Sequence, residues 1–153
     1  MIGVRRMDHV CMAVWSVDEQ LPFLRDVIGM EVTAHFRVER ERYAGVTLSV
    51  PGGGIEFELI EPIDDESFVA KFLRERGPGL HHITLEVEDA AAAAADMHSH
   101  DIEPYMGVRG REGQRETFIH PRDSGGVLFQ LIEQHRTYGP KQPGAAAETA
   151  SGE

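Results

Sequence analysis

Two octamers, GIEFELIE at 54–61 and GVLFQLIE at 126–133, agree at Gly, Phe, Leu, Ile and Glu. A second matched pair lies upstream of them, DHVCMAV at 8–14 and HHITLEV at 81–87. His9 precedes His82 by 73 residues, and Glu58 precedes Gln130 by 72. An offset this constant over half a chain marks an internal duplication, which restricts the fold to two copies of one unit packed on each other. It also pairs, two by two, four residues able to bind a metal.

Each copy has a readable order of elements. Residues 7–14 alternate as a strand does, with Val10, Met12 and Val14 on one face and His9, Cys11 and Ala13 on the other. SVDEQLPFLRDVIGM predicts a helix: Ser16 as N-cap with Glu19 three residues on, Leu21, Leu24, Val27 and Ile28 as one apolar face, Pro22 early, and Gly29 as the stop. Strands follow over 31–38 and 44–50, then the turn Pro51–Gly54 and the strand IEFELIE up to Pro62. The first copy is therefore β-α-β-β-β, over about 7–61. A linker over about 63–79 carries a short amphipathic helix with Phe68, Val69, Phe72 and Leu73 apolar. The second copy, about 80–134, repeats the order: HHITLEV, an Ala-rich helix, strands over 103–106 and 115–119, the turn HPRDSGG and the last octamer. Residues 109–114 read as a mobile loop, and 137–153 as a disordered tail beyond a single domain of 1–136.

The 153 residues suffice for one domain with a real core, and the single cysteine, Cys11, allows no internal disulfide. No signal-peptide stretch and no run of about 20 apolar residues is present, so a cytoplasmic protein with no membrane span is expected. A net charge of −11 argues against nucleic acid as a partner.

If the two copies are related by a pseudo-twofold axis, His9, His82, Glu58 and Gln130 approach one another on the polar faces of their strands. Such faces should be solvated or line a cavity. Two imidazoles, a carboxylate and an amide oxygen suit a divalent ion such as Mn, Co, Ni, Zn or Fe. Glu58 is the first candidate for a catalytic base, with Glu56, on the same face, behind it. Thr47 and Ser49 on the third strand, together with Arg115 and Arg122, are candidates for binding substrate. Arg109 and Arg111 could also meet an anionic group.

Over about 7–134 the chain resembles the vicinal oxygen chelate superfamily of glyoxalases, bleomycin resistance proteins and dioxygenases, and within it the methylmalonyl-CoA epimerases most. The resemblance is carried by DHVCMAV, ELIEPIDDESFVAKFL, GPGLHHITLEVED and FIHPRDSGGVLFQLIE. It implies an α+β fold: two paired βαβββ modules forming an eight-stranded U-shaped sheet around a metal cavity, often in a homodimer. It implies a divalent metal ion held by His9, Glu58, His82 and Gln130. It implies proton transfer at the carbon α to a thioester, a small-molecule acyl-CoA being the substrate. The chain departs from the epimerase pattern twice. Gln130 stands where those enzymes carry Glu, and the third strand offers Thr47 and Ser49 where they carry a glutamate base. One carboxylate among four ligands leaves a divalent site at net +1, which favours an anionic enolate or enediolate over oxygen activation. Two alternatives share the fold: a glyoxalase I-type lyase acting on a hemithioacetal, which needs only one carboxylate base, and a non-catalytic small-molecule binder.

Overall fold

A computed structural model describes residues 1–133; the expected tail over 137–153 lies outside the described residues. The strands are β1 (Val4–Ala13), β2 (Glu31–Val38), β3 (Tyr43–Ser49), β4 (Glu56–Pro62), β5 (Gly79–Val87), β6 (Tyr105–Arg109), β7 (Glu116–Ile119) and β8 (Leu128–Ile132). The helices are α1 (Val17–Pro22), α2 (Phe68–Arg76) and α3 (Ala90–His98). All eight strands form one sheet in the order β2-β3-β4-β1-β5-β8-β7-β6. Each copy contributes four adjacent strands, and its first strand runs parallel to its last, β1 with β4 and β5 with β8. The copies join within one chain, through the antiparallel pair β1–β5.

Strand alternation gives the sheet two different faces. Val46, Leu48 and Leu59 face α1 and pack with Val14, Val17 and Leu24. In the second copy Val87 and Leu131 pack against Ala90, Ala93 and Met97 of α3. The opposite face holds His9, Glu58, His82 and Gln130. The expectation that this whole face is polar fails at one end. Cys11, Ala13 and Ile60 lie on it and are fully buried under Val69 and Leu73 of α2. The linker helix folds back over that end and turns it into core.

The last residue of each octamer explains why the repeat extends to it. Glu61 Oε2 accepts the backbone N–H of Val17 at 2.6 Å, and Glu133 Oε1 accepts that of Ala90 at 2.8 Å. These are the first residues of α1 and α3, where N–H groups lack an intrahelical partner and negative charge is favoured. Each octamer thus anchors the helix of its own copy. Glu133 is buried and also takes the N–H groups of Gly113 and Arg115 and the Arg115 guanidinium. Burial pushes its carboxyl up, but Arg115 and the N–H groups outweigh this and hold it down at about 2, from an ordinary 4.5. The stability this group contributes is present above pH 4.5 and is lost as pH falls toward 2. Glu133→Gln is expected to cost about 2 kcal/mol at neutral pH. Urea unfolding should show the gap from the parent narrowing progressively below pH 4.5.

Two elements differ from expectation. The first helix starts as read, with Ser16 Oγ accepting from the N–H of Glu19 at 3.3 Å. It then continues as a π-helical segment, Phe23–Ile28. Pro22 has no N–H to donate, and the ladder resumes in wider turns until Gly29 closes it at φ 86°. The wider turn rotates the expected apolar stripe, so Leu24 stays buried while Val27 is 71% exposed. The strand expected at 103–106 lies instead at Tyr105–Arg109, beyond Pro104 and into the expected loop. Its pairing with β7 is irregular between Tyr105 and Arg109, where Met106 and Gly107 adopt positive φ. Among the described residues no helix is long and apolar enough to cross a membrane.

Candidate metal centre and active site

The site straddles the seam between the copies. In the β1–β5 register His9 lies opposite Thr84 and Cys11 opposite His82, so the two histidines meet on the diagonal. Their Nε2 atoms are 3.3 Å apart. Glu58 lies beside Cys11 on β4, and its Oε2 is 3.8 Å from His9 Nε2. One ligand atom from each of His9, Glu58 and His82 falls within a sphere of mutual distances of 4.8 Å. Gln130 lies beside Thr84 on β8. Thr84 Oγ1 donates to Gln130 Oε1 at 2.8 Å and is 3.0 Å from His9 Nε2. On its other side Gln130 Nε2 donates to Glu116 Oε2 at 2.6 Å. A carboxylate only accepts, so Glu116 fixes which end of the amide faces it and turns the Gln130 oxygen inward.

The duplication reaches these partners as well. Thr84 follows Cys11 by 73 residues, and as Thr84 lies beside Gln130, Cys11 lies beside Glu58. Burial, and then Glu58, push the Cys11 thiol well up, so it stays protonated. Burial also raises the Glu58 carboxyl, against the opposing pull of His9 and Cys11. His82 is pushed down to about 2 by burial and by His81 and His9, and is therefore a neutral imidazole.

The donor chemistry fits a cation. Asp8 Oδ2 lies 2.8 Å from His9 Nδ1 and takes its N–H, which leaves Nε2 as the ring nitrogen that faces the site. It faces the Glu58 carboxylate at 3.8 Å and the ring of His82, a neutral imidazole, at 3.3 Å. A carboxylate and two imidazoles gathered in a partly buried place suit a shared positive charge. Nitrogen and oxygen donors of this kind match a first-row divalent ion.

The other expected residues divide. Thr47 is in register with Glu58 and Ser49 with Glu56, on the site face. The Thr47 hydroxyl accepts from Thr33 at 3.0 Å, and that of Ser49 donates to the Glu31 carbonyl at 3.4 Å. Arg115 borders a cavity of about 690 Å³ with His9, Gln130, Glu116 and Arg111, but its guanidinium is engaged by Glu133 at 2.7 Å and Asp89 at 3.1 Å. Arg122 sits in the turn after β7, exposed, beside Asp123 at 3.3 Å, and lines neither this cavity nor the smaller groove beside His81. Sequence reasoning missed Glu116 and Thr84. Thr84 was accessible as the repeat partner of Cys11. Glu116 was accessible by alternation from Phe118, which pairs with Gln130, once the β7–β8 register is known.

A family model described as the glyoxalase/bleomycin resistance protein/dioxygenase superfamily matches residues 8–118. The chain belongs to this superfamily. It is similar to the ethylmalonyl-CoA/methylmalonyl-CoA epimerase of Cereibacter sphaeroides, with 34% identity over 86% of this chain and 98% of that one. Among solved structures, it is similar to methylmalonyl-CoA epimerase from Mycobacterium tuberculosis, with 32% identity, a TM-score of 0.75, and coverage of 87% and 90% of the two chains. It is also similar to a methylmalonyl-CoA epimerase in complex with methylmalonyl-CoA and ammonium, with 31% identity, a TM-score of 0.76, and coverage of 90% and 100%. The superfamily fold, two βαβββ units in one eight-stranded sheet, is the one observed here.

Proposed function

We propose that this protein is a divalent-metal-dependent epimerase acting at the carbon α to the thioester of an acyl-CoA, as in the epimerases it resembles. The observation that carries the reading is the meeting of His9 Nε2, His82 Nε2 and Glu58 Oε2 in a chain of epimerase fold. His9, His82 and Glu58 would hold the ion, with the Gln130 oxygen as a fourth donor. When bound, the ion supplies Lewis-acid stabilisation of negative charge developing on the thioester oxygen.

The remaining chemistry belongs to the chain's own side chains. Epimerisation removes a proton from one face of a carbon and returns one to the other, so an acid/base group is needed on each side. Glu58 stands on β4 and Glu116 on β7, with β1, β5 and β8 between them. Glu58 has two carboxylate oxygens, so one would remain to take a proton if the other held the ion. Glu116 borders the cavity with His9 and Gln130 and faces the site from the other wall. Glu56, in register with His9 and Ser49, shares the wall of Glu58 and does not oppose it. Arg111 lines the cavity with its Nε on the neutral Gln114 amide oxygen at 2.8 Å and can meet an anionic group of an acyl-CoA, whereas the charge of Arg115 is taken up by Glu133 and Asp89.

The test is deuterium incorporation at the α-carbon of methylmalonyl-CoA in D₂O. Exchange and epimerisation are expected after loading with Co(II) or Mn(II), and neither after chelation. No exchange by the loaded protein overturns the reading, and turnover of a methylglyoxal–thiol adduct in its place moves the assignment to the lyase alternative.

A further inference from the structure

The geometry points to His81 as a positioning residue that sets the tautomer and ring orientation of His82. Side chains of consecutive strand residues normally point to opposite faces. His81 and His82 break this rule, with their Nδ1 atoms 2.9 Å apart. The cause is visible in the β1–β5 register. Cys11 pairs with His82 but Met12 pairs with Leu80, so His81 is an extra residue on β5. On β1, Met7 pairs with Leu85 and His9 with Thr84, so Asp8 is an extra residue in the same way. Asp8 and His81 are 73 apart, the offset of the duplication. Each copy therefore carries a bulge that swings the residue before its histidine onto that histidine's Nδ1. Bulges re-aim side chains in this manner beside functional sites.

The two partners differ in chemistry. Asp8 can only accept, which fixes His9. His81 is a neutral imidazole held between Phe68 and Phe72, with ring centroids at 5.6 and 4.8 Å. One of the two facing Nδ1 atoms must carry a hydrogen and the other a lone pair. With the hydrogen on His82, its Nε2 lone pair faces the site and His81 accepts, its own hydrogen lying on Nε2 toward the groove it lines. A neutral acceptor donates less electron density through His82 than a carboxylate would, which leaves a bound ion the stronger Lewis acid.

This inference rests on the reading of His82 as a metal ligand, so the test has one arm that needs no metal. In metal-free, full-length protein, long-range ¹H–¹⁵N NMR should show His82 protonated at Nδ1. His81→Phe keeps the aromatic packing but removes the acceptor; it should shift His82 toward the other tautomer and weaken Co(II) binding by about 10- to 100-fold. His81→Asn, whose side-chain oxygen can replace Nδ1, should restore both. An unchanged His82 tautomer in His81→Phe overturns the inference, as do equal losses in the Phe and Asn variants. If His82→Ala binds Co(II) like the parent, it is the metal reading that fails, and the tautomer arm still decides the role of His81.

Discussion

His82→Ala is expected to abolish stoichiometric Co(II) binding and to lower metal-supported α-proton exchange on the order of 1,000-fold, since a Lewis acid contributes several kcal/mol at the developing charge. The substitution leaves only His9 and Glu58 from the converging trio, and one imidazole and one carboxylate with a neutral amide oxygen do not hold a first-row ion against water. The fold should survive. His82 gives up its contact with the neutral His81, and no buried charge is stranded. His9→Ala should lose metal equally but destabilise the metal-free protein more, because Asp8 is buried and His9 is one of its partners along with Arg6. Equilibrium dialysis with Co(II), exchange rates in D₂O and thermal melts of metal-free protein check each part. A His82→Ala protein that exchanges at the parent rate refutes the assignment of this cluster as the catalytic centre.

How far the site was legible beforehand depended on what the repeat encodes. The 72–73 residue offset carried the pairing of copies, and with it the approach of His9 to His82. Alternation placed Glu58 and Thr47 on one face, as the β3–β4 register has them. Alternation also failed, for stated causes. It put Asp8 and His81 on the face away from the histidines, because a bulge leaves only a one-residue register shift that appears when two strands are paired. It marked Cys11 and Ala13 as facing a cavity, because nothing in β1 announces that α2 will cover them. Arg115 looked like an anion-binding residue, but its partner Glu133 is the octamer's last residue, whose role depends on where α3 begins. Contacts inherited by both copies could be read; those made by one copy's linker or loop could not.

Glu116→Gln should separate exchange from epimerisation. Glutamine keeps an oxygen that can accept from Gln130 Nε2, as Glu116 does at 2.6 Å, so the amide orientation and the metal donors are preserved while the proton-carrying group is removed. Arg109, whose guanidinium is 3.4 Å from Glu116 Oε1, remains beside it. If Glu58 and Glu116 serve opposite faces, the variant still removes and returns a proton on the Glu58 face. One epimer of methylmalonyl-CoA then continues to take up deuterium from D₂O, while interconversion falls by about 100- to 10,000-fold, the range for losing a general acid or base. Chiral analysis of the product alongside deuterium content distinguishes the two rates. Unchanged interconversion would limit Glu116 to orienting Gln130. An equal loss of exchange in both epimers would mean that the substitution disturbs what both faces share, through the Gln130 amide, and not the base of one face.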